Sequence, residues 1–256
     1  MAGPRLVRSV PGALARGRER VSGAFTHRYP TVAVTGMTGV GKSELVDHLC
    51  GRASPQGTPE AGSAVLERRV RRGGRLRGFR LRVVPGENAA TRLGALDEVF
   101  HDEPVDGVLH VVAHGHATGR RRAGTTGPAA VTREQQLAAE LEDWTVTSHR
   151  IAAMAVRREH PTWLVVVVTK VDLYPGEVDE VVRSYSPGSG TPFGDRLDEL
   201  RALAGAAKLS IDVLPACSHL GESGPEAAGG PEVSPRQRDA YLEALSARMA
   251  QLSGHV

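Results

Sequence analysis

The residues from Gly36 to Ser43 read GMTGVGKS, and their types and spacing suit the binding of phosphate. Glycines let a loop wrap closely around an anion with its N–H groups pointing inward, and a helix that follows presents its positive end. Lys42 would place a positive charge at the β- and γ-phosphates of a nucleotide, and the Ser43 hydroxyl would be a ligand of Mg²⁺. The segment lies between an apolar strand pattern and a helical pattern, which makes a chance glycine-rich turn the weaker interpretation. The predicted contacts are Gly36, Met37, Thr38, Gly39, Val40, Gly41, Lys42, Ser43 and Glu44.

A second chemical signal, TKVD, runs from Thr169 to Asp172 directly after the apolar run WLVVVV. Ligands of parallel α/β sheets bind beyond the carboxyl ends of the strands, which is where these residues would lie. The Asp172 carboxylate can accept hydrogen bonds from N1–H and the exocyclic amine of guanine, a donor pair that adenine lacks. The aliphatic part of Lys170 can lie against the base. A surface Lys-x-Asp at a strand end is the alternative, and the phosphate loop upstream makes it less favoured.

The elements that must position these residues alternate between strand and helix patterns. Such alternation predicts an α/β fold, with a mostly parallel sheet and helices on both faces. Residues 1–29 read as a basic leader, flexible or helical, and residues 30–254 as one domain with a mobile insertion at about 115–130. The long helix pattern has a possible break near Trp144. Strands are expected in residues 30–36, 64–72, 75–84, 106–115, 162–172 and 209–217, and helices in 42–50, 88–100, 132–159, 191–206 and 235–252.

Composition excludes several classes of protein. The 256 residues are 40 % hydrophobic and 24 % charged, as in ordinary globular domains. The run WLVVVV is far too short to span a membrane, and two cysteines, Cys50 and Cys217, do not form a disulfide framework. No secretory signal is visible, so a cytoplasmic location is the expectation.

Arginine is concentrated in residues 67–82, which contain eight arginines. The first interpretation is an edge strand protected by charge against aggregation. The second is a docking face for an acidic partner or a nucleic acid. Aromatic residues make up only 4 % of the chain, so recognition of RNA by base stacking gains no support.

With these motifs in this order, the chain resembles the Ras/Era-like GTPases of the translation-factor-related class of P-loop proteins, over about residues 31–253. The resemblance implies a mixed six-stranded sheet with five surrounding helices and one antiparallel edge strand. Thr169 stands where the family usually has asparagine. Pro215-Ala216-Cys217-Ser218 resembles the family's Ser-Ala-[Lys/Leu] loop, which implies that the N–H groups of Ala216 and Cys217 contact guanine O6.

The same resemblance exposes a departure, because Val83-Val84-Pro85-Gly86 stands where the family has Asp-x-x-Gly. Val83 cannot hold Mg²⁺ through water as that aspartate does. Mg²⁺ keeps most of its waters and takes its other ligands from Ser43 and the phosphates, so nucleotide binding should survive with a weaker metal dependence. Lys42, Gly86 and Glu87 are the predicted catalytic residues: Gly86 would offer its N–H to the γ-phosphate and Glu87 would orient water. A solvated charge at a helix start is an equal alternative for Glu87, and neither Thr58 nor Ser63 is favoured as the switch threonine.

Three histidines, His110, His114 and His116, follow one another in HVVAHGH, and Arg120–Arg122 come soon after. A metal site would need further ligands, so loop histidines are the favoured interpretation. The arginines would form a lid over phosphate or, more simply, part of a solvated loop.

These observations lead to two functional hypotheses. The first is a GTP-binding molecular switch with Mg²⁺ as cofactor, slow or partner-stimulated GTP hydrolysis and a protein partner at the switch and edge-strand face. The second is a non-hydrolysing GTP-binding scaffold of a multiprotein complex, which Val83 favours. An ATPase or a nucleoside kinase is disfavoured by Asp172.

Overall fold

The computed structural model describes residues 29–52, 66–71, 78–86, 89–117, 131–218 and 233–254. Within these ranges six strands form one sheet in the order β2-β3-β1-β4-β5-β6, and β2 is the one strand that pairs antiparallel. The predicted α/β class with a mostly parallel six-stranded sheet is confirmed. The strands are β1 (Thr31–Thr35), β2 (Glu67–Arg71), β3 (Phe79–Val83), β4 (Gly107–Val112), β5 (Thr162–Val168) and β6 (Leu209–Pro215).

Six α-helices lie within the described ranges, one more than the five expected. The unexpected one is a seven-residue helix between β5 and β6. The suspected break near Trp144 is wrong, since that helix runs unbroken for 25 residues with the indole fully buried. The helices are α1 (Lys42–Leu49), α2 (Ala89–Asp97, continued by a π-helical turn over Glu98–Asp102), α3 (Arg133–Arg157), α4 (Val178–Ser184), α5 (Pro192–Ala204) and α6 (Pro235–Leu252).

The central strands are buried from end to end because helices cover both faces of the sheet. Every residue of β4 and β5 is buried, which explains the unbroken apolar composition of the two strands. One face packs against α2, α3 and α5 through side chains such as Leu96, Trp144 and Leu197. The other packs against α1 and α6 through Leu45 and Met249.

The path of the chain places the carboxyl end of β1 at a topological switch point. From β1 the chain passes to one side of the sheet for β2 and β3 and to the other side for β4, β5 and β6. Open α/β sheets bind their ligands in a crevice at such a point, because the connections on its two sides diverge. The phosphate loop predicted from sequence follows β1 directly and therefore lies at this point.

Val83 is an ordinary core residue of the sheet. It pairs with Val34 of β1 on one side and with Glu67 of β2 on the other. Its side chain is 2 % exposed and belongs to the apolar cluster that β1 and β3 form with α1 and α6. The position that would carry the family's metal-holding carboxylate is therefore filled with packed hydrocarbon.

Of the five edge-hairpin arginines that the structure describes, three are paired with acidic neighbours. Arg68 contacts Glu98 at 2.8 Å, and Arg82 forms an ion pair with Glu103. Arg71 donates to the Ser246 hydroxyl at 2.6 Å. Such pairing suits an edge strand that charge protects against aggregation.

Other expectations concern parts of the chain outside the described residues. They include all of the leader except residue 29, and residues 118–130 of the insertion with Arg120–Arg122. Among the helices that the structure describes, none combines the length and the apolar character needed to cross a bilayer.

Replacing Val83 with aspartate should destabilise the fold, because the carboxylate would be buried without a partner. Val83→Ala is the control and should lower the free energy of unfolding by about 2 kcal/mol through lost packing. Val83→Asp should lower it by at least about 2 kcal/mol more, since an unpaired buried polar group adds its own desolvation cost. The difference should shrink as the pH falls through the raised pKa of the buried carboxyl, and the cost of ionisation should vanish below about pH 3, where the carboxyl is protonated in both states. Urea unfolding at several pH values measures this, and equal stabilities of the two variants at neutral pH would contradict it.

Candidate nucleotide-binding site

The phosphate loop, Gly36 to Ser43, owes its course to glycine. Gly36, Gly39 and Gly41 have φ angles of 127°, 78° and 89°, which L side chains rarely adopt. At Gly36 a Cβ atom would lie 2.2 Å from the carbonyl oxygen of Val111 on β4. No side chain fits there, so the close approach of the loop to the neighbouring strand requires glycine.

Lys42 begins α1 and turns back over the loop. Its Nζ donates to the carbonyl oxygens of Gly36 and Met37, each at 2.8 Å. The residue is 8 % exposed, so its ammonium group is held at the loop by backbone dipoles. A phosphate oxygen at this place would meet a localised positive charge and the amino end of a helix.

Thr169 and Lys170, the first two residues of TKVD, tie the end of β5 to the phosphate loop. The Thr169 hydroxyl donates to Val40 O at 2.7 Å and lies 2.9 Å from Val112 O, while Lys170 Nζ donates to Gly39 O at 2.7 Å. Lys170 Nζ also donates to His116 O at 2.8 Å. The two motifs, about 130 residues apart in sequence, therefore form one hydrogen-bonded unit.

Asp172 lies at the other end of this unit, beside the loop after β6. The buried thiol of Cys217 donates to Asp172 Oδ1, with 3.3 Å between sulfur and oxygen. The adjoining cavity has a volume of about 30 Å³, which is room for a water molecule and not for a base. The cavity is lined by Val40, Gly41, Glu44, Thr169, Lys170, Asp172 and Ser218.

One of the two amides predicted in the loop after β6 is bonded to the sheet. The N–H of Ala216 donates to Val168 O at 2.8 Å and so extends the pairing of β5 and β6. That amide is engaged by the sheet, because the ladder runs one residue past the strand end. The contacts of Ala216 and Cys217 with guanine O6 stay predictions, and for Ala216 the contact would compete with this bond.

Gly86 packs directly on the phosphate loop, as the predicted γ-phosphate contact requires. A Cβ atom at Gly86 would lie 2.8 Å from the amide nitrogen and 2.9 Å from the Cα of Thr38. Only a residue without a side chain can approach the backbone this closely. Glu87, Thr58 and Ser63 lie outside the described residues.

The surroundings of Ser43 offer a metal ion one ligand from the protein, the Ser43 hydroxyl. Ser43 is exposed in the first turn of α1, and Val83 contributes apolar packing instead of a carboxylate. Among the described residues there is no group of three His, Cys, Asp or Glu side chains that could hold a metal. Mg²⁺ accepts one protein ligand when phosphates and waters supply the others, so this single hydroxyl fits it.

The histidines lie beside the site and do not converge on a ligand. Burial lowers the pKa of His110 to about 3, helped by the positive charges of Arg92 and Lys42, so the ring is neutral near pH 7. Its Nδ1 lies 3.0 Å from the Thr35 hydroxyl. Burial likewise lowers the pKa of His114 to about 4, and the ring of His116 stacks on Tyr174.

Sequence reasoning missed the buried polar residues behind the site. Glu140 and Asp143 lie on the covered face of α3, and Arg92 of α2 forms an ion pair with Asp143. A signal was present, because helical spacing puts both acids on the same stripe as Trp144 and Ile151. Glu140 and Asp143 belong to no sequence motif, so the helical spacing alone did not indicate what either residue does.

At the level of sequence, neither a protein family nor a curated protein matches the chain. Solved structures do resemble it. One is a GTP-binding protein from the archaeon Sulfolobus solfataricus in complex with GDP. The match covers 94 % of this chain and 57 % of that protein, at 15 % identity and a TM-score of 0.46. It therefore spans less than two thirds of that protein's length. The mammalian SRP receptor matches over 87 % of this chain and 99 % of its own, at 12 % identity and a TM-score of 0.51. This likeness concerns the fold alone, a six-stranded and mostly parallel α/β sheet.

Proposed function

We propose that this protein binds guanine nucleotides and acts as a molecular switch, with GTP hydrolysis that is slow or stimulated by a partner. The observation that carries the proposal is the junction of the two motifs. Thr169 and Lys170 bond to adjacent carbonyls of the phosphate loop, so a base beside Asp172 and phosphates at Lys42 would belong to one ligand.

Base selection would rest on Asp172. Its carboxylate accepts from both N1–H and the amine of guanine, whereas adenine presents no such pair of donors. The Cys217 thiol already donates to one carboxylate oxygen and so restricts the rotation of the group. Lys170 would lay its alkyl chain along the base while its ammonium group keeps its bonds to the carbonyls of Gly39 and His116.

Phosphate binding would rest on the loop amides, on Lys42 and on the start of α1. Lys42 Nζ would exchange the carbonyls of Gly36 and Met37 for phosphate oxygens, which are stronger acceptors because they are charged. Mg²⁺, when bound, would neutralise phosphate charge, and Ser43 would be its ligand from the protein.

Hydrolysis would depend on positioning, as phosphoryl transfer generally does. The Gly86 N–H would contact the γ-phosphate, since Gly86 already lies against Thr38 of the phosphate loop. Glu87 would orient the attacking water. Without a carboxylate at Val83 the metal is held less firmly, which is the reason to expect slow turnover.

A protein partner would bind where Gly86 and the edge strands β2 and β3 meet. A partner at this face would supply further charge stabilisation of the transition state. The ion pairs of Arg68 and Arg82 reduce the net charge of the edge, so a nucleic acid is not proposed.

Asp172→Asn tests the guanine assignment. The wild type should bind GTP and GDP far more tightly than ATP. The variant should lose roughly 10- to 100-fold in GTP affinity, as expected for a hydrogen bond to a charged group, and should gain affinity for xanthine nucleotide. Asp179→Asn is the matched control, since Asp179 is exposed seven residues further on in the first turn of α4. Fluorescent-nucleotide titration measures these affinities. Equal binding of GTP and ATP by the wild type would refute the assignment.

Cys217 should contribute to guanine affinity through its side chain. Cys217→Ala removes the thiol donor to Asp172 and should weaken GTP binding by about 3- to 10-fold. Cys217→Ser keeps a donor of similar size and should stay close to the wild type. Competition titrations of both variants give the comparison, and an alanine variant with wild-type affinity would show that the thiol has no part in recognition.

Single-turnover hydrolysis at varied Mg²⁺ tests the altered switch. Wild-type GTP binding should persist as Mg²⁺ is lowered, turnover should be slow without a partner, and Glu87→Ala should reduce the remaining rate. Val83→Asp should sharpen the Mg²⁺ requirement in whatever fraction of the variant folds. Rapid hydrolysis with a sharp Mg²⁺ requirement in the wild type would mean that another carboxylate has replaced the missing one. Complete absence of turnover, with or without a partner, would favour the scaffold.

A further inference from the structure

The buried face of α3 carries two acidic side chains directly behind the nucleotide site. Glu140 is 2 % exposed and Asp143 is 6 % exposed. Residues three apart on a helix share a face, so both point toward the sheet. Buried carboxylates are costly unless they are paired, which makes the partners of these two informative.

Glu140 holds the turn that follows β4. Its Oε1 accepts from the N–H groups of Ala113 at 2.9 Å and Gly115 at 3.3 Å, and its Oε2 accepts from the Tyr185 hydroxyl at 2.8 Å. The next residue of this turn is His116, whose carbonyl accepts from Lys170 Nζ. Glu140 thereby fixes a carbonyl that holds the lysine at the base end of the site.

Asp143 holds the helix that follows Gly86. Its Oδ1 forms an ion pair with Arg92 of α2, and the same guanidinium lies 3.3 Å from the Thr147 hydroxyl. Asp143 Oδ2 is buried without a hydrogen-bond partner among the described residues. Arg92 comes six residues after Gly86, so this ion pair anchors the segment whose glycine packs on Thr38.

The charge of the phosphate-loop lysine also acts on Asp143. Burial raises the pKa of its carboxyl to about 6, and the nearby positive charges of Arg92 and Lys42 act against that rise. A phosphate that neutralised Lys42 would remove part of this support and leave Arg92 as the main counter-charge. The phosphate end of the site is therefore linked electrostatically to the Arg92–Asp143 pair.

We propose that Glu140 and Asp143 are positioning residues with separate tasks: Glu140 sets the base end of the nucleotide site, and Asp143, through Arg92, sets the γ-phosphate end. The proposal rests on the proposed guanine-nucleotide binding. Val83 has no charge with which to hold the segment that follows Gly86. In this proposal Asp143, on the buried face of α3, holds that segment through its ion pair with Arg92. Because the two acids act on different parts of the ligand, their replacement should produce different changes in binding.

The test compares dissociation constants for GDP and a non-hydrolysable GTP analogue in the full chain. Glu140→Leu should weaken both nucleotides by the same factor, on the order of 10-fold, because GDP and GTP share the base. Glu140→Gln should recover most of this loss, since its amide oxygen can still accept from Ala113 and Gly115. If Glu140 affected only the stability of the fold, the folded glutamine and leucine variants would bind the nucleotides with equal affinity.

Asp143→Asn should leave GDP affinity within about twofold of the wild type and lower the ratio of analogue to GDP affinity by about five- to tenfold. Arg92→Lys keeps the buried positive charge but loses the fork that reaches Thr147, so it should shift the ratio in the same direction by a smaller factor. Glu142→Gln is the matched control, because Glu142 is exposed on the same helix. Circular dichroism checks that each variant is folded.

Each remaining outcome decides against the proposal. If the Asp143 and Arg92 variants change both affinities equally, or leave the ratio at the wild-type value, the separate tasks are refuted while guanine-nucleotide binding stands. If Glu140→Leu changes the ratio instead of both affinities, the assignment of the base end is refuted. If the wild type binds neither nucleotide, the proposed function itself fails, and this inference falls with it.

Discussion

The site depends on hydrogen bonds from two successive residues at the end of β5 to two successive carbonyls of the phosphate loop. Thr169 bonds to Val40 and Lys170 to Gly39, across a gap of about 130 residues in sequence. A loop with three glycines at positive φ has considerable conformational freedom, and these bonds select one course for it. The GTPases that the sequence resembles usually have asparagine at the position of Thr169. Threonine can make this connection too, because its hydroxyl lies within reach of Val40 O and Val112 O.

Both lysines of the site are held by backbone carbonyls. Lys42 contacts Gly36 and Met37, and Lys170 contacts Gly39 and His116. Phosphate binding would therefore be an exchange of acceptors, in which a charged phosphate competes with carbonyl dipoles for Lys42, while Lys170 stays on its two carbonyls.

The carboxylate that is absent at position 83 has a counterpart elsewhere, because the buried face of α3 carries acidic side chains behind the site. At the strand end, hydrocarbon packs between β1 and β2 and leaves no carboxylate to be compensated. Behind the site, Asp143 is buried next to Arg92, with its pKa raised by desolvation and opposed by positive charges that include the phosphate-loop lysine. Removing one member of such a buried pair is costly, because it leaves the other charge uncompensated. The segment after Gly86 is thus anchored from behind.

By itself, the sequence determined the sheet, the phosphate loop and the location of TKVD, because these depend on local patterns. Apolar runs such as WLVVVV must be buried, glycines permit an otherwise strained loop, and the alternation of elements orders the strands. Tertiary structure decided what depends on partners far apart in the chain. It kept α3 straight through Trp144 by burying the indole, and it engaged the Ala216 amide in the sheet ladder. It also paired Asp143 with Arg92, 51 residues away, because only packing of α2 on α3 brings the two side chains together in a medium where each needs the other.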